Sequence, residues 1–164
     1  MCTIIIYRNH TATYPVIIAQ IRDEKTYRKW LSPARHWPDK NNIIAGIDLT
    51  NGGSWLGIND TGIFCSIVNG ANTLTENYDT GMSRGHIVTN ILAHKNIASI
   101  RSFLQQNTSQ LSQHKDFTLV VVSSKIAFCC INQNHKLSFE DIPLGLELHR
   151  NGNFFNLKIP YFSI

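Results

Sequence analysis

Residues 1–24 read MCTIIIYRNHTATYPVIIAQIRDE, and this stretch decides the fold. It contains two runs rich in β-branched and apolar side chains, at residues 2–7 and 14–20. The polar stretch Arg8-Asn9-His10-Thr11 lies between them and has the composition of a turn. The pattern therefore predicts a β-hairpin whose first strand begins at the terminus of the chain.

Cys2 occupies the position that becomes the terminus if the initiator methionine is removed. Removal is usual before a small residue, and it would leave a cysteine that carries both a thiol and a free α-amine. An α-amine has an ordinary pKa of about 7.7–8.0, so near neutral pH part of it can accept the thiol proton. One residue would then supply nucleophile and base together, held in position by a buried strand. Taken alone, a cysteine at position 2 is more often a passive terminal residue.

The 164 residues are expected to form one domain, spanning 1–164, with a hydrophobic core of its own. Apolar residues make up 43% and charged residues 16% of the chain, which is typical of globular rather than disordered proteins. The net charge of +4 is spread along the chain without a Lys/Arg cluster, which argues against a nucleic-acid partner. No apolar run approaches the ~20 residues of a transmembrane helix. The run at residues 4–7 is too short for a signal peptide.

The four cysteines, Cys2, Cys65, Cys129 and Cys130, match no zinc or redox spacing. Because Cys129 and Cys130 are adjacent, their side chains would point to opposite faces of a strand. Reduced thiols in a cytosol-like compartment fit this pattern, and we expect a cytoplasmic protein. The seven histidines also lack ligand spacing, and we expect neither a metal nor a cofactor.

The rest of the chain shows strand-like and helix-like patterns in blocks. Residues 23–42 are charged, contain two prolines, and are expected to form a surface loop or short helical turns. Gly52-Gly53 reads as a turn, Ser83 is a candidate N-cap for a first helix, and a second helix is predicted over 97–106. Further strands are predicted at 43–49, 55–58, 63–68, 117–122, 126–131, 137–139 and 154–159. The order of predicted strands, then helices, then strands along the chain indicates an α+β layered domain.

Several segments resemble the NRDE family, also called the transport and Golgi organisation protein 2 family. The resemblance begins with CTIII at 2–6, YPVIIA at 14–19 and RDE at 22–24, and continues with IAGID at 44–48 and GGSWLGIN at 52–59. GIFCSIVN at 62–69 is similar to a third family motif, and SRG at 83–85 also matches. The motifs occur in the family's order, firmly over residues 1–70 and more weakly to about residue 133.

The resemblance implies a four-layer αββα sandwich related to N-terminal-nucleophile hydrolases, shortened at the C-terminus. It implies that Cys2 attacks an amide or other acyl carbonyl, that Asp23 holds the Cys2 α-amine, and that Arg22 places positive charge beside the thiolate. A neighbouring cation lowers the pKa of a thiol, so this arrangement is physically sensible. The alternative for this segment is a solvated loop with a surface ion pair. Asn69 could help to line an oxyanion hole, or Asn69-Gly70 could be a simple turn.

Two departures from the family pattern concern the site. The signature tetrad is Asn-Arg-Asp-Glu, but Ile21 stands in the first place, and an apolar side chain cannot donate the hydrogen bonds of an asparagine. This departure puts the local geometry of the site in question. After Gly145-Leu146 the family continues with Ser-Asn, whereas this chain has Glu147-Leu148. That asparagine is the counterpart of a catalytic-site residue in the hydrolase relatives, and a downstream arginine has no clear counterpart either.

Three functions follow from these observations. The first is hydrolysis of non-peptide C–N or other acyl bonds with Cys2 as the nucleophile. The second is the role of a catalytically incomplete member in secretion or Golgi organisation, or in lipid or haem trafficking. The third is that of a structural interaction protein. The expected partner is a small acyl, amide or hydrophobic molecule. The sequence is compatible with a homo-oligomer but does not indicate one. Trp55 is expected in the core or in a pocket wall.

Overall fold

The structure of the chain, a computed structural model, describes residues 2–70, 83–150 and 153–156. These residues form two antiparallel β-sheets and three α-helices. The helices are α1 (Gly85–Leu92), α2 (Ile97–Gln106) and α3 (Thr108–Leu111), with a 3-10 turn at Pro38–Lys40. The strands are β1 (Cys2–Arg8), β2 (Val16–Arg22), β3 (Trp30–Ala34), β4 (Ile43–Asp48), β5 (Leu56–Asn59), β6 (Phe64–Asn69), β7 (Phe117–Val122), β8 (Ala127–Gln133), β9 (Lys136–Asp141), β10 (Gly145–Arg150) and β11 (Asn153–Asn156). The α+β sandwich predicted from the sequence is confirmed.

The small sheet has the strand order β11-β10-β1-β2, so β1 lies inside the sheet between β2 and β10. Its register with β2 sets Cys2 opposite Arg22, which confirms the predicted hairpin. On the other side of β1, Thr3 lies opposite Arg150 of β10. Side chains alternate along a strand, and the even-numbered residues of β1 are the buried ones. Cys2 therefore points into the sandwich.

The large sheet contains β3 to β9 in sequential order. Its interior strand β7 is buried along its whole length, as expected for a strand that has a packed layer on both faces. One of these faces packs against β1, and the other packs against α1 and α2. Cys129 belongs to the cluster between the sheets and Cys130 to the cluster under the helices, which confirms that they face opposite ways.

The sequence pattern predicts most of the elements but not all of them. The second helix is confirmed at its predicted bounds, as α2. The expectation of loop or helical turns over 23–42 is wrong in part, because β3 pairs with β4 there. The N-cap of α1 is Arg84 and not Ser83, whose hydroxyl accepts a hydrogen bond from the Gly85 N–H at 3.2 Å. The predicted strand over 154–159 is observed as β11, and its last residues lie outside the described part of the chain.

The outer face of the small sheet points away from the large sheet and carries exposed apolar side chains. Ile17 and Ile21 on β2 are 52% and 66% exposed, and Ile5 and Tyr7 of β1 lie half-buried on the same face. In the described ranges, none of the helices is long and apolar enough to cross a membrane.

Candidate active site

Cys2 begins β1 and is nearly inaccessible, with 2% of its surface exposed. It packs in the cluster between the two sheets, together with Ile4 and Val68. Strand pairing fixes its backbone against Arg22, the last residue of β2. The backbones of Cys2 and Arg22 are therefore neighbours, and the predicted charge of Arg22 beside the thiolate stays a prediction.

The Arg22 side chain turns toward the large sheet. Its guanidinium donates to the Glu24 carboxylate at 2.9 Å, and its central carbon lies 5.8 Å from the centre of the Trp55 ring. Arg22 thus engages a carboxylate and an aromatic face at the mouth of the sandwich. Asp23 follows directly after β2 and is exposed. Its predicted contact with a free Cys2 α-amine stays a prediction.

Asn69 is the last residue of β6 and lies opposite Phe117, the first residue of β7. The next residue does not form an isolated turn: the Gly70 N–H donates to the Asp116 carbonyl at 3.0 Å and continues the ladder between the strands. Asn69 therefore lies at the end of the large sheet next to a cavity, which is where an oxyanion donor would have to be. Its role at an oxyanion stays a prediction.

A cavity of about 290 Å³ opens at this end of the sandwich. A second cavity of about 210 Å³ shares part of the same wall, and we call the two together the cleft. The residues common to both cavities are Arg22, Glu24, Arg28, Asp48 and Trp55. The first cavity is also lined by Asn51, Ser54, Ile67, Asn69, Ser83, Arg84, Gly85 and Lys115, and the second by Trp30. Of the predicted site residues, Arg22 and Asn69 thus line the cleft, whereas Cys2 and Asp23 are not among its described lining residues.

Two carboxylates on the cleft wall are held as anions by arginines. Burial alone would raise the pKa of Asp48, but hydrogen bonds from Arg28 and from the Thr50 backbone lower it below its ordinary value. The Arg28 Nε donates to Asp48 Oδ2 at 3.2 Å. Burial likewise opposes ionisation of Glu24, yet the Lys25 N–H and the charges of Arg22 and Arg28 bring its pKa down. Each carboxylate therefore already has a cationic partner.

Arg84 is a residue of this site to which the sequence motif SRG assigned no role. It is the N-cap residue of α1, it is part-buried, and its Nη1 donates to the Asp116 carbonyl at 2.7 Å. Burial lowers the pKa of Arg84, as does the charge of Arg22, while Cys2 and Asp116 act in the opposite direction. One signal in the sequence could have found Arg84, since a cation at a helix N-terminus opposes the helix dipole and is unexpected without a function.

Trp55 forms a wall of the cleft, as the sequence suggested. Its ring meets Trp30 edge-on, with ring centres 6.0 Å apart and an interplanar angle of 86°. A side chain on Gly46 would come within 2.9 Å of the Trp55 ring, so the ring is packed tightly against β4. The aromatic wall is therefore a fixed part of the large sheet.

Neither of the two sequence departures is among the described residues that line the cleft. Ile21 is on the outer face of the small sheet, one residue out of phase with Gln20 and Arg22, so its side chain does not reach the cleft. Leu148, which stands where the family has the asparagine, lies opposite Ile5, three residues along β1 from Cys2. Three residues of extended strand span roughly 10 Å. The effect of Ile21 on the local geometry of the site stays a prediction.

The remaining cysteines are poor nucleophiles. Burial raises the pKa of the Cys65 and Cys129 thiols well above the ordinary value, and it raises that of Cys130 to about 12. The four cysteines form no disulfide with one another. In the described part of the chain, no group of three or more His, Cys, Asp or Glu side chains is arranged to hold a metal ion.

One of three comparisons with known proteins identifies a family. A family model described as Transport and Golgi organisation 2 matches residues 1–158. Among solved structures, penicillin V acylase from Agrobacterium tumefaciens is similar to this chain, with a TM-score of 0.44 and 10% sequence identity. That similarity covers 85% of this chain and 41% of the acylase, so the chain spans less than half of the acylase's length. A comparison with curated proteins finds no match.

Proposed function

Because the chain belongs to the Transport and Golgi organisation 2 family, we propose that it hydrolyses an amide or other acyl bond with Cys2 as the nucleophile. The observation that carries the proposal is the juxtaposition of Cys2 and Arg22 at the end of the sandwich where Asn69 and Arg84 line a cavity. Cys2 is 2% exposed in the chain that retains Met1, so the proposal requires that removal of Met1 opens the thiol to the cleft.

In the proposed reaction, the Cys2 α-amine takes the thiol proton and the sulfur attacks the carbonyl carbon of the substrate. The C–N bond then breaks, and the leaving amine receives the proton from the Cys2 ammonium. A thioester remains on Cys2. Water, deprotonated by the same α-amine, attacks the thioester, releases the acid and restores the thiol.

The neighbouring residues take the following parts in the proposal. Asn69 donates its side-chain amide to the oxyanion, because preorganised donors lower the energy of the charge that develops there. Arg84 and Arg22 favour the thiolate, since nearby cations lower the pKa of a thiol. Asp23, which directly follows the strand partner of Cys2, accepts a hydrogen bond from the α-amine and orients it.

Intact-mass measurement and iodoacetamide labelling test the first requirement. The processed chain is expected to have lost Met1 and to be alkylated at Cys2 alone, because burial suppresses the other three thiols. The matched control is a chain that carries an N-terminal extension that is not removed. It keeps all residues from Cys2 onward but has no free α-amine at Cys2. Equal labelling of Cys2 in both chains, or retention of Met1, would remove the catalytic proposal.

A panel of acyl p-nitroanilides tests turnover, since release of the coloured amine reports C–N cleavage directly. We expect the processed chain to release it and the Cys2→Ala variant to lose all activity above background. The Cys65→Ala variant is the control: that thiol is fully buried, so the variant tests whether any cysteine loss has the same effect.

Ligand carriage without catalysis is a second candidate. It is favoured by the aromatic wall of Trp30 and Trp55, and by the absence of Cys2 from the described lining of the cleft. Titrations with haemin and with an acyl-CoA test it. Affinity that is unchanged in Cys2→Ala, in a chain that cleaves no p-nitroanilide, would favour carriage over hydrolysis.

A further inference from the structure

We propose that the cleft takes a ligand with a carboxylate group, which Arg84 and Lys115 bind, next to a flat apolar group that rests on Trp55. The substrate class rests on the proposed function. In that reaction the substrate is an N-acyl amino acid or a related amide, and the amine that leaves carries the carboxylate.

Among the described residues, the charges on the cleft wall do not balance. Four cationic side chains of this set line the first cavity, Arg22, Arg28, Arg84 and Lys115, against the two carboxylates of Glu24 and Asp48. Arg22 pairs with Glu24, and Arg28 pairs with Asp48. Within the described residues, neither Arg84 nor Lys115 forms an ion pair. The described part of the wall therefore has two cations in excess.

The position of Arg84 is unfavourable unless something binds it. A part-buried guanidinium loses hydration, and a cation at a helix N-terminus also opposes the helix dipole. Its bond to the Asp116 carbonyl uses Nη1 alone, and the charge of the Asp116 carboxylate does not offset the effect of burial on the pKa of Arg84. Its remaining N–H groups form a planar fork that matches the two oxygens of a carboxylate. A bound carboxylate would offset both costs.

Lys115 reinforces this site from a separate element. It immediately precedes Asp116, whose backbone carbonyl accepts from Arg84, so the two cations are tied to one backbone position. Lys115 is part-buried and lines the same cavity. A fork-shaped donor next to a compact ammonium is a suitable arrangement for one small anion.

The other half of the ligand follows from the aromatic wall. Trp30 and Trp55 meet edge-on, and both line the second cavity. A flat apolar group can pack there while the carboxylate reaches the first cavity, because Trp55 is part of both walls. A fully neutral hydrophobic ligand would instead cover Arg84 and Lys115 without pairing them, which costs free energy.

Binding to the Cys2→Ala chain tests this inference, since that variant binds without turning the ligand over. The probes are naphthoylglycine, its neutral analogue naphthoylglycinamide, and naphthyl phosphate, each measured by titration calorimetry. We expect naphthoylglycine to bind about tenfold or more tightly than the amide, because a charge-assisted hydrogen bond to a carboxylate is lost in the amide. The preference should also weaken as the salt concentration rises.

Matched variants locate the effect. Arg84→Gln and Lys115→Gln should each reduce the preference for the carboxylate, and Arg84→Lys should restore only part of it because the fork is lost. Arg35→Gln is the control: Arg35 is equally cationic, but it is exposed and pairs with Asp60 away from the cleft. Circular dichroism checks that each variant is folded, and Lys115→Gln remains informative if Arg84→Gln does not fold.

The inference is overturned if the acid and the amide bind equally, if Arg84→Gln and Lys115→Gln both keep the preference, or if only the phosphate binds. Its failure differs from that of the proposed function. A carboxylate preference in a chain that hydrolyses nothing would support the inference and remove the hydrolase. Hydrolysis together with equal binding of naphthoylglycine and naphthoylglycinamide would support the proposed function and remove the inference.

Discussion

Gly53 and Gly85 lie in direct backbone contact. A Cβ on Gly53 would lie 2.5 Å from the carbonyl carbon of Gly85, which is closer than any real side chain comes. The adjacent Ser54 N–H donates to the Gly85 carbonyl at 3.1 Å. This contact locks the loop before β5 to the start of α1, and α1 begins next to Arg84. The turn glycine Gly53 and the glycine of the SRG motif, Gly85, thus set the position of a cleft cation.

Gly53→Ala is therefore expected to push the start of α1 away from the loop. We expect a loss of about 1–3 kcal/mol in the free energy of unfolding, typical of overpacking a close contact. Because Arg84 moves with the helix, the affinity for naphthoylglycine should fall as well. Urea unfolding and titration calorimetry in the Cys2→Ala chain measure the two effects.

Gly62→Ala is the control for this prediction. Gly62 has φ +76°, and no atom lies within 4 Å of the place that a Cβ would occupy, so alanine there causes backbone strain but no collision. That strain costs roughly 1–2 kcal/mol. Naphthoylglycine affinity should be unchanged in Gly62→Ala, and equal affinity losses in both variants would contradict the role of the glycine contact.

Ile21→Asn restores the first letter of the family tetrad, and we expect it to change little. Ile21 is 66% exposed on the outer face of the small sheet, and such surface changes stay within about 0.5 kcal/mol. The rate of Cys2 alkylation should also be unchanged. A clear change in that rate would show that the outer face communicates with the cleft.

Gln20→Ala is the matched comparison from the inner face of the same strand. Gln20 Oε1 accepts a hydrogen bond from the Ser66 hydroxyl at 2.6 Å, which joins the two sheets. Its loss should cost about 1 kcal/mol. Urea unfolding of Ile21→Asn and Gln20→Ala tests whether the outward position on β2 tolerates substitution while the adjacent inward position loses stability.

Asp48→Asn is expected to remove an acid-dependent part of the stability. Arg28 and Thr50 hold the pKa of Asp48 below its ordinary value despite burial, so the charged form favours folding. This contribution is complete above the unfolded pKa of about 3.9 and is lost as the pH falls through the lower folded pKa. With a discount for the partial exposure of Arg28, the pair is worth about 1 kcal/mol.

Urea midpoints measured from neutral pH down to strongly acidic pH check this. Wild type should lose more stability than Asp48→Asn as the pH falls. Asp60→Asn is the control, because its pair with Arg35 is largely exposed and should contribute little. An Asp60→Asn effect as large as that of Asp48→Asn would refute the assignment.

Glu147→Gln is expected to change the pH dependence of stability in the opposite direction to Asp48→Asn. Glu147 is 4% exposed, and burial raises its pKa, so the folded state favours its neutral form. Its stabilising contribution is complete below the unfolded pKa of about 4.3 and is lost as the pH rises through the raised folded pKa. The neutral glutamine should therefore raise the urea midpoint at neutral pH but not at acidic pH. A lower midpoint at neutral pH would mean that the glutamate charge stabilises the fold.

The predictable part of the fold came from regular apolar patterns. The β1–β2 hairpin shows two β-branched apolar runs around a polar turn, α2 shows a helical period, and both occur as expected. β3 is exposed along its length and contains Pro33, so no apolar alternation reveals an edge strand held by backbone pairing. β10 is hidden for a different reason, because the inward position in its middle is the buried Glu147.

The candidate site also has a part that the sequence predicts and a part that it does not. Cys2 and Arg22 are joined by a hairpin, whose register can be worked out from a short segment. Arg84 and Lys115 reach the cleft from a helix start and from the loop before β7, and only the packing of layers brings them together. Sequence spacing carries no information on such a meeting, so neither residue was assigned a role from the motifs.

The interior position of β1 in its sheet affects the order of events during synthesis. β1 is made before its partner β10, which sets Arg150 opposite Thr3, and most of the described strands are made between the two. Such sequence-distant pairing forms late in folding. The proposed nucleophile would thus acquire its fixed surroundings only after β10 has been made, and a chain that stops before β10 would lack a competent thiol.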